Sequence, residues 1–126
     1  MSETYYLDID DILEIHARQI EQYGGTGGVR DAGLIEAALM RPQSGYYLDL
    51  MEQAASLWES LTMNHGFVDG NKRVGLAATY AFLGVNGLRF ATSSEDLMKF
   101  ILVNLESGTF TKDVLDAWLR INTEPR

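Results

Sequence analysis

Val74, Ala77, Ala78, Ala81, Phe82 and Val85 recur at i, i+3, i+4, i+7, i+8 and i+11. That is the period of an α-helix with one apolar face; a strand would alternate every second residue instead. The stripe starts after Asn71 and stops at Asn86-Gly87, a helix-ending pair. Its small residues predict close packing on all sides, as for a central helix. The chain holds only two prolines, Pro42 and Pro125. An all-α fold of about six helices follows as the expectation.

The other helices are read from the same period. The first runs from Asp8 to Tyr23 with Ile9, Ile12, Leu13, Ile20 and Tyr23 on its apolar face, and Gly24-Gly25 ends it. Tyr5-Tyr6-Leu7 ahead of it is expected to be a short extended piece. Asp31 caps a second helix that reaches Met40, and Pro42 opens a connector over 43–49. A third helix spans Leu50 to Met63, with Ala54, Leu57, Trp58 and Leu61 inward. Leu88-Arg89-Phe90 reads as a short strand. Ser93 or Ser94 caps a fifth helix through Glu106, with Leu97, Phe100, Ile101 and Leu105 inward, and Gly108 ends that unit. Thr111 caps a sixth carrying Val114, Leu115, Trp118 and Leu119.

Composition excludes several classes. At 126 residues the chain is expected to form one domain, 1–126. Apolar residues at 46% and charged residues at 22% exclude intrinsic disorder. The absence of cysteine excludes a disulfide scaffold and a thiolate zinc site. Ten basic against 18 acidic residues give a net charge of -8, so the overall field will not attract nucleic acid. No apolar run approaches the roughly 20 residues that span a bilayer. Met1-Ser2-Glu3-Thr4 lacks the basic flank and apolar stretch of a signal peptide. The expectation is a cytoplasmic protein with no membrane contact.

Chemistry concentrates in His65-Gly66-Phe67-Val68-Asp69-Gly70-Asn71-Lys72-Arg73. Its two glycines predict a tight turn between two buried helices. A turn feeding a helix N-terminus exposes free N–H groups, which the helix dipole makes attractive to anions. Gly70 allows close approach of the backbone, Asn71 can donate, and Lys72 and Arg73 add charge. Asp69 inside such an anion cradle calls for a bridging cation, and Mg2+ commonly takes one carboxylate together with phosphate oxygens. His65 is the base of the string. Phe67 is read as a buried anchor. Together these groups point to phosphoryl or nucleotidyl transfer.

Other readings are weaker. His65 and Asp69 stand at i, i+4, a metal-hydrolase spacing, but the glycines break the helix that spacing needs. His16, on the apolar face of the first helix, is read as a structural histidine. Gly24-Gly25-Thr26-Gly27-Gly28 does not complete GxGxxG and is read as a flexible loop.

His65-x-Phe67-x-Asp69-Gly70-Asn71-Lys72-Arg73 resembles the signature of the Fic/Doc family in its Doc form. Tyr23-Gly24-Gly25, Val29-Arg30-Asp31-x-Gly33-Leu34-Ile35-Glu36-x-Ala38 and Arg41-Pro42 are similar to Doc proteins as well. The resemblance implies the compact helical Fic/Doc core. Fic enzymes usually transfer AMP from ATP to a target hydroxyl. Their motif carries a glycine after the asparagine and a second arginine three residues beyond the first; Lys72 and Leu76 stand there in this chain. Losing that arginine removes one clamp on the distal phosphates, so ATP can bind reversed and present its γ-phosphate. Doc proteins are kinases that phosphorylate a threonine of elongation factor Tu and halt translation. They are toxins paired with a Phd-type antitoxin whose C-terminal segment covers the site.

By the same resemblance His65 takes the hydroxyl proton and Asp69 holds Mg2+. Gly70, Asn71 and Lys72 form the anion-binding turn for ATP, and Arg73 binds phosphate. The connector around Gly45-Tyr46-Tyr47 would dock the target segment. Two rival expectations stand beside the toxin kinase: an AMP transferase, and a family member that binds its partner without catalysis.

Overall fold

A computed structural model describes residues 3–126; of the polar start, Met1 and Ser2 lie outside the described residues. Six helices follow in chain order: α1 (Ile9–Tyr23), α2 (Ala32–Met40), α3 (Leu50–Met63), α4 (Asn71–Val85), α5 (Ser94–Glu106) and α6 (Lys112–Asn122). A 3-10 turn over Arg41–Gln43 follows α2, with Pro42 in its first turn. The all-α expectation holds, with Asp31 and Thr111 capping as predicted; Asp8, read as the first residue of its helix, and Asp49, read as the end of the connector, turn out to be caps as well. Asp8, Asp31, Asp49, Ser93 and Thr111 each accept a backbone N–H at the start of their helix. The choice between Ser93 and Ser94 resolves to Ser93.

α3 and α4 form the centre. α3 is buried almost all round, through Ala54, Ala55, Ser56, Leu57 and Trp58. Trp58 is ringed by Phe90, Phe100, Phe110 and Trp118, which tie α5, α6 and the chain between them to the middle. Val74, Ala78 and Phe82 of α4 are buried as its period predicts. At the crossing a Cβ on Gly75 would overlap the Thr62 hydroxyl, so only glycine lets the two backbones approach this closely. That contact fixes where the N-terminus of α4 lies.

Some expected faces are less buried. Leu13 and Tyr23 of α1 are exposed, as is Val85 at the end of α4. In α5 only Ile101 is fully buried, while Leu97, Phe100 and Leu105 are half-buried. Leu105 borders an open cavity together with Met98, Ile101 and Leu102, so this side of α5 faces space rather than another helix.

Leu88–Phe90 is a strand, β1, and its partner is β2 (Thr123–Pro125), which pairs with it antiparallel. Tyr5-Tyr6-Leu7 belongs to no helix or strand. The Asn86 side chain clasps it instead, accepting from the Tyr5 N–H at 2.9 Å and donating to the Tyr5 carbonyl at 2.9 Å. Among the described residues no helix is long and apolar enough to cross a membrane.

Candidate active site

The segment between α3 and α4 is held from outside by the strand-like stretch over 28–31. Gly66 O accepts from the backbone N–H groups of Arg30 (2.8 Å) and Asp31 (2.9 Å), and Val68 N–H donates to Gly28 O (3.1 Å). His65 sits at φ 55, the left-handed region that a residue with a Cβ enters at a cost. Arg30 secures it there: its Nε donates to His65 O at 2.6 Å and its Nη2 to Asn64 O at 3.4 Å. The backbone is thus fixed while the imidazole is exposed and has no hydrogen-bond partner among the described residues.

Phe67 is buried and anchors the turn as expected. Asn71 is buried too. Its Oδ1 accepts from Phe67 N–H and its Nδ2 donates to Phe67 O, both at 3.0 Å. This clasp closes the turn and leaves one amide hydrogen of Asn71 for anything else.

Gly70 is the N-cap of α4, left-handed at φ 79, and offers no side-chain cap. Gly70 N–H bonds the Asp69 carboxylate at 2.8 Å, and Val74 N–H makes the first intrahelical bond back to Gly70 O. Between them, the N–H groups of Asn71, Lys72 and Arg73 have no acceptor among the described residues. The first turn of α4 holds no acid; it holds Lys72 and Arg73.

Asp69 is exposed, and its carboxylate takes N–H bonds from Thr26 (3.2 Å) and Gly70 (2.8 Å). The Thr26 amide first, then the Gly70 amide, hold its pKa below the ordinary aspartate value, with Arg73 adding to this. Arg73 donates to Gly24 O at 3.1 Å and lies 5.9 Å over the Tyr23 ring. A Cβ on Gly25 would stand 2.7 Å from Asp69 Oδ2 and 3.3 Å from Arg73 Nη2, so the glycine loop wedges between carboxylate and guanidinium. Lys72 is exposed and makes no ion pair among the described residues.

These groups border one open cavity of about 500 Å³. Its polar end carries His65, Asp69, Lys72 and Arg73; its apolar wall carries Leu76, Met98, Ile101 and Leu102. The arrangement can seat a molecule with an anionic end and a flat or apolar body. No group of three or more His, Asp or Glu able to hold a metal occurs among the described residues. The metal-hydrolase spacing of His65 and Asp69 therefore finds no third ligand.

The Fic/DOC family model matches residues 6–83. The chain belongs to the Fic/Doc family. The match runs from ahead of α1 almost to the end of α4 and contains the whole turn; the α5 wall of the cavity lies beyond it. Among curated Fic/Doc relatives, the chain is 45% identical over 105 residues to "Toxin Doc" of Mycolicibacterium smegmatis (strain ATCC 700084 / mc(2)155), covering 75% of this chain and 78% of that one. It is 29% identical over 113 residues to "Protein kinase doc" of Escherichia phage P1, covering 86% and 85%.

Three contributors were not assigned to the site from sequence: Arg30, the Gly25-Thr26 pair, read as part of a flexible loop, and His16, read as a structural histidine and indeed buried and hydrogen-bonded. Arg30 stands inside a family-like string, but its partner is 35 positions away. His16 gave the one available signal, a lone imidazole on an apolar helix face.

Proposed function

We propose that this protein is a Doc-type toxin kinase that transfers the γ-phosphate of ATP to a threonine or serine hydroxyl of a translation protein, elongation factor Tu, and arrests translation in the cytoplasm. A Phd-type antitoxin holds it in check by covering the site. The observation that carries the reading is the start of α4, which presents unpartnered N–H groups and two cations at the positive end of its dipole. Cations there repel one another and the dipole, so the arrangement makes sense opposite a polyanion.

His65 has the role of general base: it removes the proton of the target hydroxyl. That oxygen bonds the γ-phosphorus as the bond to the β–γ bridging oxygen breaks, and ADP leaves with the electron pair. Arg73 and Lys72, with the amides of α4, stabilise charge on the phosphate oxygens. The donor set fits Mg2+ carried in with the nucleotide: one ionised, exposed carboxylate, Asp69, with phosphate oxygens and water completing the shell. Bound there, Mg2+ would neutralise phosphate charge. Leu76 supports phosphate rather than AMP transfer, because an apolar side chain lines the cavity where the AMP-transferring pattern has a second arginine.

The test is mass spectrometry of elongation factor Tu after incubation with purified protein, ATP and Mg2+. A phosphate on a hydroxyl, absent with His65→Ala, is the expected result. AMP adducts would replace the kinase by the AMP transferase. No adduct, with antitoxin binding intact, would leave a silent binding protein.

A further inference from the structure

The buried histidine of α1 is not idle packing. His16 is 5% exposed, and its ring stacks on Phe67 with centroids 3.8 Å apart and planes 8° from parallel. Its Nε2 lies 2.8 Å from Asp69 O. A carbonyl oxygen only accepts, so Nε2 carries the hydrogen and donates it.

The carbonyl it holds belongs to the Asp69–Gly70 peptide. The N–H of that same unit bonds Asp69 Oδ1. The peptide is planar, so fixing its C=O fixes the direction of its N–H. Gly70 in turn begins α4 in the left-handed region, which a residue without a Cβ enters without steric cost when its neighbours impose it. A Cβ there would stand 3.6 Å from His16 Nε2 and 3.3 Å from Ile20 Cδ1, so α1 is packed directly beneath the turn.

We infer that His16 is a positioning residue for phosphoryl transfer: through its bond to the Asp69–Gly70 peptide it aims the first amides of α4 at the nucleotide phosphates and the Asp69 carboxylate at the Mg2+ they would carry. This rests on the reading of that turn as the MgATP site. His16 touches no substrate. Phe67 beneath its ring sets the ring plane, and Asn71 locks Phe67, so one buried stack runs from α1 to the donors of α4.

Two variants separate positioning from packing. His16→Phe keeps a flat ring on Phe67 and removes the donor. His16→Gln gives up the ring and returns an N–H at a similar reach. In 15N-labelled protein without nucleotide, the Gly70 amide of His16→Phe is expected to shift and exchange faster, with His16→Gln close to the parent. Transfer from MgATP is expected to fall about 10- to 100-fold in His16→Phe, as for groups that orient a reacting shell, with His16→Gln recovering most of it. An unmoved Gly70 amide, or full transfer in folded His16→Phe, overturns the inference. So does a loss shared equally by both variants in step with their melting temperatures. If His16→Phe does not fold, His16→Gln decides: folded and active supports the inference, folded and inactive overturns it. If the parent itself transfers nothing, the kinase reading fails and the Gly70 amide alone decides whether His16 orients this peptide.

Discussion

Five helices of this protein begin one way and the sixth begins another. α1, α2, α3, α5 and α6 start at an Asp, Ser or Thr whose side chain accepts an N–H of the first turn. Four of the five also carry acids there, such as Asp10 and Asp11 in α1 or Glu95 and Asp96 in α5. Both devices offset the positive end of a helix, by about 1 kcal/mol for a cap and a few tenths more for a charge. α4 has neither. Its cap position is a left-handed glycine, and its first turn holds Lys72 and Arg73. A cap residue normally adopts extended backbone, so the turn that feeds α4 excludes one by geometry. Helix starts elsewhere in the chain are built for stability; this one forgoes it and keeps its donors open.

The contrast predicts that substitutions at the two kinds of helix start separate into different measurements. His65→Ala, at the mouth of α4, should lower the transfer rate by roughly 100- to 10,000-fold, seen in single-turnover assays, and change the melting temperature less than loss of a cap does. Arg73→Ala should raise the KM for ATP more than Lys72→Ala, because a guanidinium binds phosphate with two hydrogens in a fork; equal, negligible effects would remove Arg73 from the site. Asp49→Ala removes the α3 cap together with the pair to Arg120, whose Nη2 lies 2.9 and 2.8 Å from the two carboxylate oxygens. Thermal unfolding should show a loss of about 1 kcal/mol, while transfer per folded molecule stays at the parent value.

The smallest effect is on the acid limb of stability. Burial opposes ionisation of Asp49, but the Glu52 amide and Arg120 outweigh it and set its pKa below 3.8 in the folded chain. A carboxyl lowered on folding contributes stability above its unfolded pKa and loses it as the pH falls through the folded one. Asp49→Asn should therefore flatten the melting temperature against pH below about 4; an unchanged acid limb would show that this pair contributes nothing to it.

Much of this was legible in the sequence because helices are local. Period, cap residue and terminal glycine all lie within a few positions of one another, so α3 and the ends of α4 and α5 follow directly. The turn at 65–73 was legible as a concentration of chemistry for the same reason. What was not legible is what acts across the chain. β2 carries three residues with a proline among them, too short for an alternating pattern to register. Asn71 reads as a free donor, yet its amide is clasped by Phe67. The glycine loop 24–28 reads as slack, yet Thr26 bonds Asp69 and Gly24 bonds Arg73. In α5, Ile101 and Leu105 read as inward, yet both line the cavity with Met98 and Leu102, because periodicity alone does not distinguish a face against a helix from a face along a cavity.

The central claim is that the open start of α4 receives the phosphates. A titration of 15N-labelled protein with ATP and Mg2+ tests it residue by residue. The amides of Asn71, Lys72 and Arg73 should show the largest saturable shifts, while the first-turn amides of the five capped helices stay still. Saturable shifts centred on any capped helix start, with those three amides unmoved, would contradict it.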